Sequence, residues 1–213
     1  MAKLNLCVFI SGGGSNLQSI IDAVKSGKLD AEIRLVLSNK PSAYGLIRAK
    51  EAGIPTVAIS SGNCESRESF VSTLMMLLEK HGVDFIALAG YLRKIPPEII
   101  EKYKGRIVNI HPGPLPEFGG RGMFGIRVHE AVLEAGLEET CATIHHVTEG
   151  YDEGNIIATS PVPILEGDTP ESLQKRVLQA EHALYPAVLQ GFAEGRFRLS
   201  QINRAPGDSL TAE

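Results

Sequence analysis

Tryptophan is absent from this chain of 213 residues, and cysteine occurs only three times. Cys7, Cys64 and Cys141 are odd in number and far apart, which excludes a disulfide framework and a metal knuckle. Cys7 and Cys141 lie in apolar runs and are expected to be small core residues, in a reducing cytoplasm. Charge of one sign is lacking too. The 21 basic and 25 acidic side chains leave a formal net charge of -4, so broad attraction to nucleic acid or anionic membrane is not expected. Any bound anion must be held by a local site. No apolar run is long enough to span a bilayer. Met1 leads almost directly into an apolar segment, and no signal peptide is expected before it. What is present is a hydrophobic content of 43%, enough for a proper core.

The order of elements points to an α/β fold. Leu4–Ile10 is a short continuous apolar run, the mark of a buried parallel strand. Leu17, Ile20, Ile21 and Val24 then recur at helical spacing. Further strands are expected at Glu32–Leu37, Thr56–Ile59, Asp84–Gly90 and Arg106–His111. Helices are expected around Gly45–Ala52, Arg67–His81 and Pro96–Tyr103. Alternation at this spacing predicts βαβ units and a mostly parallel sheet. After Pro116 a Gly-rich stretch, Glu117–Gly125, reads as a mobile or inserted loop. A helix near Val128–Ala135 and strands at Thr140–Val147 and Ile156–Ile164 follow. Thr169 caps a long helix with Pro170 at its first position, and Pro186 is expected to kink or interrupt it. A single domain over residues 1–204 is expected, with a frayed polar tail at 205–213.

Two segments carry chemistry. In Ile107-Val-Asn-Ile-His111 the side chains of Asn109 and His111 lie two apart on a strand and project to one face where the strand ends. Pro112 and Pro114 cannot donate ladder hydrogen bonds, so the sheet should stop there. A fixed amide donor beside a group titrating near neutrality suits polarisation of a carbonyl. The same pair could instead cap a turn and satisfy a backbone carbonyl.

Ser11-Gly-Gly-Gly-Ser-Asn16 lies between a strand and a helix, where backbone N–H groups and the helix dipole favour an anion. It lacks the Lys-Ser/Thr ending of a triphosphate loop. Leu17 occupies the third glycine position of a dinucleotide fingerprint, and Ser38-Asn39-Lys40 offers no acid for a ribose. A phosphomonoester is the expected ligand. A turn that merely needs glycine is the alternative.

Together with the turn Glu149–Gly154 that contains Asp152, these segments resemble the folate-dependent phosphoribosylglycinamide formyltransferase family. The resemblance extends from Leu4 to about Arg198 and includes Ser38-Asn39-Lys40, Leu88-Ala-Gly90, Leu92-Arg93 and Glu181-His-Ala-Leu-Tyr-Pro186. It implies a three-layer α/β/α fold with a central, mostly parallel sheet and a Rossmann-like N-terminal half. It implies formyl transfer from 10-formyltetrahydrofolate to the amine of glycinamide ribonucleotide in purine biosynthesis. It assigns catalysis to Asn109, His111 and Asp152, and the substrate phosphate to Gly14, Ser15 and Asn16. Folate falls to Arg67, Leu92, Arg93, Lys94, Ile95 and Asn109, and the substrate amine to Glu181. Thr143 and His145 fall on the strand lining the site. Asp152, as a carboxylate near His111, is expected to raise the imidazole pKa.

No His or Cys spacing matches a zinc site, and no metal is expected. The expected partners are the two small-molecule substrates, without nucleic acid or membrane, in a monomer or homodimer. The chain departs from the family at Pro112-Gly-Pro-Leu-Pro116, at Glu117 where Lys is common, and in a longer segment 119–127. A 10-formyltetrahydrofolate hydrolase and a non-catalytic sugar-phosphate-binding module are the rivals. A methionyl-tRNA formyltransferase would need a further C-terminal domain.

Overall fold

A computed structural model describes residues 3–197. The tail expected at 205–213 lies outside the described residues. The strands are β1 (Leu4–Ile10), β2 (Ala31–Ser38), β3 (Thr56–Ala58), β4 (Phe85–Leu88), β5 (Ile107–His111), β6 (Glu139–His146) and β7 (Ile156–Pro163). The helices are α1 (Ser15–Lys25), α2 (Tyr44–Glu51), α3 (Arg67–Lys80), α4 (Pro97–Lys102), α5 (Ile126–Glu134) and α6 (Pro170–Ala193). All strands join one seven-stranded sheet in the order β3-β2-β1-β4-β5-β6-β7. The first five run parallel, while β6 and β7 are antiparallel to their neighbours.

The sheet is covered on both faces, as the apolar runs of β1 and β4 require. Leu6, Val8 and Ile10 of β1 pack with Leu17, Ile20 and Ile21 of α1 and with Tyr185, Val188 and Leu189 of α6. Cys7 and Phe9, pointing the other way, pack with Phe70, Leu74 and Leu78 of α3 and Ile99 of α4. A third cluster joins Val128 and Val132 of α5 to Leu173 and Val177 of α6.

Strand order reverses beside β1: the chain moves from β1 outward to β3, then returns to β4 on the other side. Such a switch point opens a crevice at the carboxyl ends of the strands. Here the Ser11 hydroxyl, just after β1, donates to the Asn39 side-chain oxygen and accepts the Leu92 backbone N–H at 2.8 Å. One buried side chain thus ties together the loops leaving β1, β2 and β4.

Two expectations need correction. α6 runs without a break through Pro186. Proline removes the hydrogen bond to the His182 carbonyl, but burial of Tyr185, Val188 and Leu189 on either side holds the helix to the sheet. The Tyr185 hydroxyl also donates to the Leu88 carbonyl at 2.9 Å, at the end of β4. Cys141 is half-buried rather than core, its thiol 3.3 Å from the Thr143 hydroxyl. In the Gly-rich stretch after Pro116, Phe118 and Met123 pack on the third cluster.

Candidate active site

A cleft of about 690 Å³ opens over the carboxyl ends of β1, β4 and β5. Ser15, Asn16, Asn109, His111, Asp152 and Glu181 all face it, although they come from four distant stretches of chain. A small side cleft of about 70 Å³ shares Tyr91, Asn109, Tyr151 and Asp152 with it and continues to Arg93, Lys94 and Ile95. A larger groove of about 940 Å³ runs between α1 and α6 and meets the cleft at Ser15. Size does not choose between them. The convergence of two asparagine amides, two imidazoles and two carboxylates does.

Backbone register places the first pair. Asn109 of β5 lies directly opposite His145 of β6, and His111 opposite Thr143. Directly opposed residues share a face, so the Asn109 amide nitrogen comes 3.1 Å from His145 Nε2. His145 Nδ1 lies 2.9 Å from the His146 carbonyl oxygen, so Nδ1 carries its proton. Nε2 is then an acceptor, and it takes an N–H from Asn109. The same Asn109 nitrogen lies 3.4 Å from Asp152 Oδ1. Thr143 does not reach the cleft; its hydroxyl donates to the Gly113 carbonyl at 2.8 Å and holds the turn after His111.

Asp152 sits in the loop between β6 and β7 with φ 58°, the one non-glycine residue at positive φ among the described residues. Asp tolerates that conformation better than most residues. Gly154 beyond it is forced by space, since a Cβ there would meet the His146 carbonyl oxygen at 1.7 Å. This backbone turns the Asp152 carboxylate inward. Oδ2 accepts the Gly120 N–H at 3.0 Å and stands 3.8 Å from His111 Nδ1, while Oδ1 stands 3.4 Å from His145 Nε2. His111 Nε2 donates to the Phe118 carbonyl at 2.8 Å, which leaves Nδ1 as its bare nitrogen.

Asp152 pushes the His111 imidazole up, as expected, but the net direction is down. Burial pulls it below the ordinary imidazole value, although Asp152 and the Phe118 carbonyl push the other way. The ring is 3% exposed, and 3.8 Å to Asp152 exceeds hydrogen-bonding distance, so desolvation wins. Asp152 itself lies below the usual carboxylate range. Burial would raise it, but the His145 contact, the Gly120 N–H and the His111 charge together outweigh that.

At the other end of the cleft, Gly14 in left-handed backbone (φ 71°) leads into α1. Asn16, in the first turn, donates its amide N–H to Glu181 at 2.7 Å across 165 residues. Both are buried. Burial raises the Glu181 carboxyl to about 7, and the Asn16 hydrogen bond only partly offsets it. The docking of α6 against α1 places this mid-helix carboxyl in the interior.

Of the residues tied to folate by resemblance, Leu92 lines the main cleft, and Arg93, Lys94 and Ile95 the side cleft. The Lys94 ammonium donates to the Glu149 carbonyl at 2.9 Å and lies over the Tyr151 ring. Arg67 lines neither cleft. Its guanidinium forks onto Glu98 at 2.8 and 2.9 Å on the surface. Sequence reasoning missed Gly120, Phe118 and His129. The Gly120 and Phe118 contributions are backbone atoms, which leave no compositional signal. His129 lines the cleft, is 1% exposed, and is pushed down by burial to about 4. Among the described residues, no group of three or more His, Cys, Asp or Glu could hold a metal. None of their helices is long and apolar enough to cross a membrane.

Comparison with known proteins agrees with this geometry. The family model described as formyl transferase matches residues 4–189. The chain belongs to that family. It is 44% identical over 197 residues to the chloroplastic phosphoribosylglycinamide formyltransferase of Arabidopsis thaliana, covering 92% of this chain and 68% of that one. It is 39% identical over 198 residues to phosphoribosylglycinamide formyltransferase of Escherichia coli, covering 93% and 91%. Among solved structures, glycinamide ribonucleotide transformylase 1 from Symbiobacterium toebii superposes with a TM-score of 0.85 at 39% identity, covering 92% and 90%. The α/β/α architecture of this formyl transferase family member is therefore shared along most of its length.

Proposed function

We propose that this chain transfers the formyl group of 10-formyltetrahydrofolate to the amine of N1-(5-phosphoribosyl)glycinamide, in de novo purine (IMP) biosynthesis. The products are the N-formyl ribonucleotide and tetrahydrofolate. The neutral amine attacks the formyl carbon. A carbon–nitrogen bond forms, and negative charge grows on the formyl oxygen. The bond to the folate nitrogen then breaks, and that nitrogen gains the proton the amine loses.

Asn109 is the donor to the growing oxyanion. Of its two contacts the one to Asp152, at 3.4 Å, is the weaker, and the substrate oxygen replaces it. His145, tied to the His146 carbonyl, keeps the amide oriented meanwhile. His111 Nδ1 faces Asp152 and can take a proton there, with the carboxylate stabilising the imidazolium. Donation from Nε2 to substrate requires exchange of the Phe118 carbonyl for the formyl oxygen. Glu181, poised near neutrality, accepts a hydrogen bond from the amine. Gly14, Ser15 and Asn16 hold the phosphate on the α1 N-terminus. The side cleft and Leu92 take the flat pterin, and Arg67 takes the folate tail only by leaving Glu98. The single-domain reading is supported over the described residues by the single sheet. Three free cysteines fit a cytoplasmic setting.

The observation that carries this reading is the meeting of Asn109, His111 and Asp152 in one cleft with the α1 N-terminus. Absorbance of released tetrahydrofolate, followed with both substrates and purified protein, tests it. Turnover that depends on the ribonucleotide is expected. Equal deformylation without it would favour the hydrolase, and no turnover would favour a binding module.

A further inference from the structure

The glycine loop is held from behind. The Gly45 N–H at the start of α2 donates to the Gly12 carbonyl at 3.0 Å. One turn on, Arg48 Nε donates to the Gly13 carbonyl at 2.9 Å. Two successive carbonyls of the loop are thus drawn toward α2, away from the α1 N-terminus. The approach is as close as backbone allows. A Cβ on Gly14 would lie 2.7 Å from the Gly45 Cα, and one on Gly45 would lie 2.5 Å from Ile10 Cδ1.

Arg48 is itself restrained. Its Nη1 donates to Gln18 Oε1 at 3.2 Å, and its guanidinium lies over the Tyr44 ring. Gln18 passes the contact on to Asp22 at 2.9 Å, so the nearest carboxylate is reached only through an amide. No ion pair among the described residues includes Arg48. Its charge is felt nearby: with burial, it holds His182 below the ordinary imidazole value. Arg48 and Ser15 line the same groove.

We infer that Arg48 is a positioning residue for phosphate recognition: it orients the Gly13–Gly14 peptide and adds a fixed positive charge beside the α1 N-terminus. This rests on the reading of Gly14–Asn16 as the phosphate loop. Three of the five guanidinium N–H groups remain available beyond the Gly13 and Gln18 bonds. Lysine would keep the charge but not the planar fork that holds a carbonyl and an amide at once.

Steady-state kinetics with glycinamide ribonucleotide and with the same glycinamide riboside lacking its 5′-phosphate test the inference. Arg48→Ala should raise KM for the ribonucleotide at least tenfold and change kcat less than threefold. KM for the riboside and for 10-formyltetrahydrofolate should stay within twofold. Arg48→Lys should fall between, and it supplies the same ratio if the alanine variant does not fold. A variant with the wild-type ribonucleotide-to-riboside KM ratio overturns the inference. So does an equal rise for both substrates, which marks a general structural role. A wild-type enzyme indifferent to the phosphate would instead refute the phosphate-loop reading itself.

Discussion

The two ends of the cleft are built from different materials. At the reaction end, Asn109, His111 and His145 are side chains that each come within 4 Å of Asp152, several of them titratable. At the anion end, Gly12–Gly14 present backbone, held in place by Gly45 and Arg48. The first end must change its hydrogen bonds as charge develops. The second must hold one shape against a ligand whose charge does not change in the reaction. Side chains that titrate suit the former, and glycine backbone against a helix suits the latter.

Replacing Asn109 by Ala should have the largest effect, a loss in kcat of roughly 10²–10³-fold, as for removal of one oxyanion donor. Ribonucleotide KM should move only a few-fold. If KM rose instead and kcat held, the division between the two ends would collapse.

Asp152→Asn should follow, with kcat reduced by about 10²-fold. Asp152 is what opposes the downward pull of burial on His111. Without it the imidazole pKa falls further, and the protonated form disappears at lower pH. The alkaline fall of the pH–rate profile should therefore move to lower pH; an unmoved profile would separate His111 from Asp152.

Gly14→Ala tests the opposite end. The new Cβ meets the Gly45 Cα at 2.7 Å in left-handed backbone. Strain of about 1–3 kcal/mol is expected. Ribonucleotide KM should rise by roughly tenfold, an order expected for 1.4 kcal/mol lost in binding, and riboside turnover should change little. Equal loss with both substrates would mean that the loop also shapes the reaction end.

The smallest effect concerns Glu181, which bonds Asn16 and lines the cleft. Burial pushes its carboxyl up to about 7 in the folded state, well above the ordinary glutamate value. A raised value favours the folded state below the unfolded pKa, and that contribution is lost as pH rises through 7. Glu181→Gln should therefore flatten the fall in Tm between pH 5 and pH 8. At pH 8 it should melt a few degrees higher, from roughly 2–4 °C per kcal/mol in a chain of this size. Superimposable melting curves against pH would show that the carboxyl is not held in a desolvated site.

These contrasts also show what a one-dimensional reading reaches. Asn109 and His111 were legible because strand geometry alone puts i and i+2 on one face. The glycine loop was legible because its composition states its backbone freedom. Glu181 was reached only through the family resemblance, and its burial not at all, since the docking of α6 against α1 decides it. The direction of the His111 shift failed for the same reason: the sign depends on how much water is excluded, which no local pattern encodes. Arg48 was silent because its role is to grip a carbonyl 35 residues away. Pro186 misled because local helix disruption was weighed without the apolar anchors beside it.

The Tyr185 hydroxyl, bonded to the end of β4, has a consequence for the order in which the enzyme comes into being. It belongs to α6, the last helix among the described residues, which also carries Glu181. During synthesis the sheet, the glycine loop and the Asn109–His145 pair emerge first, with one wall of the cleft missing. A nascent chain halted before residue 170 holds the chemistry but not the chamber. The chamber is complete only with the final helix in place, its tyrosine on the sheet and its carboxylate at Asn16.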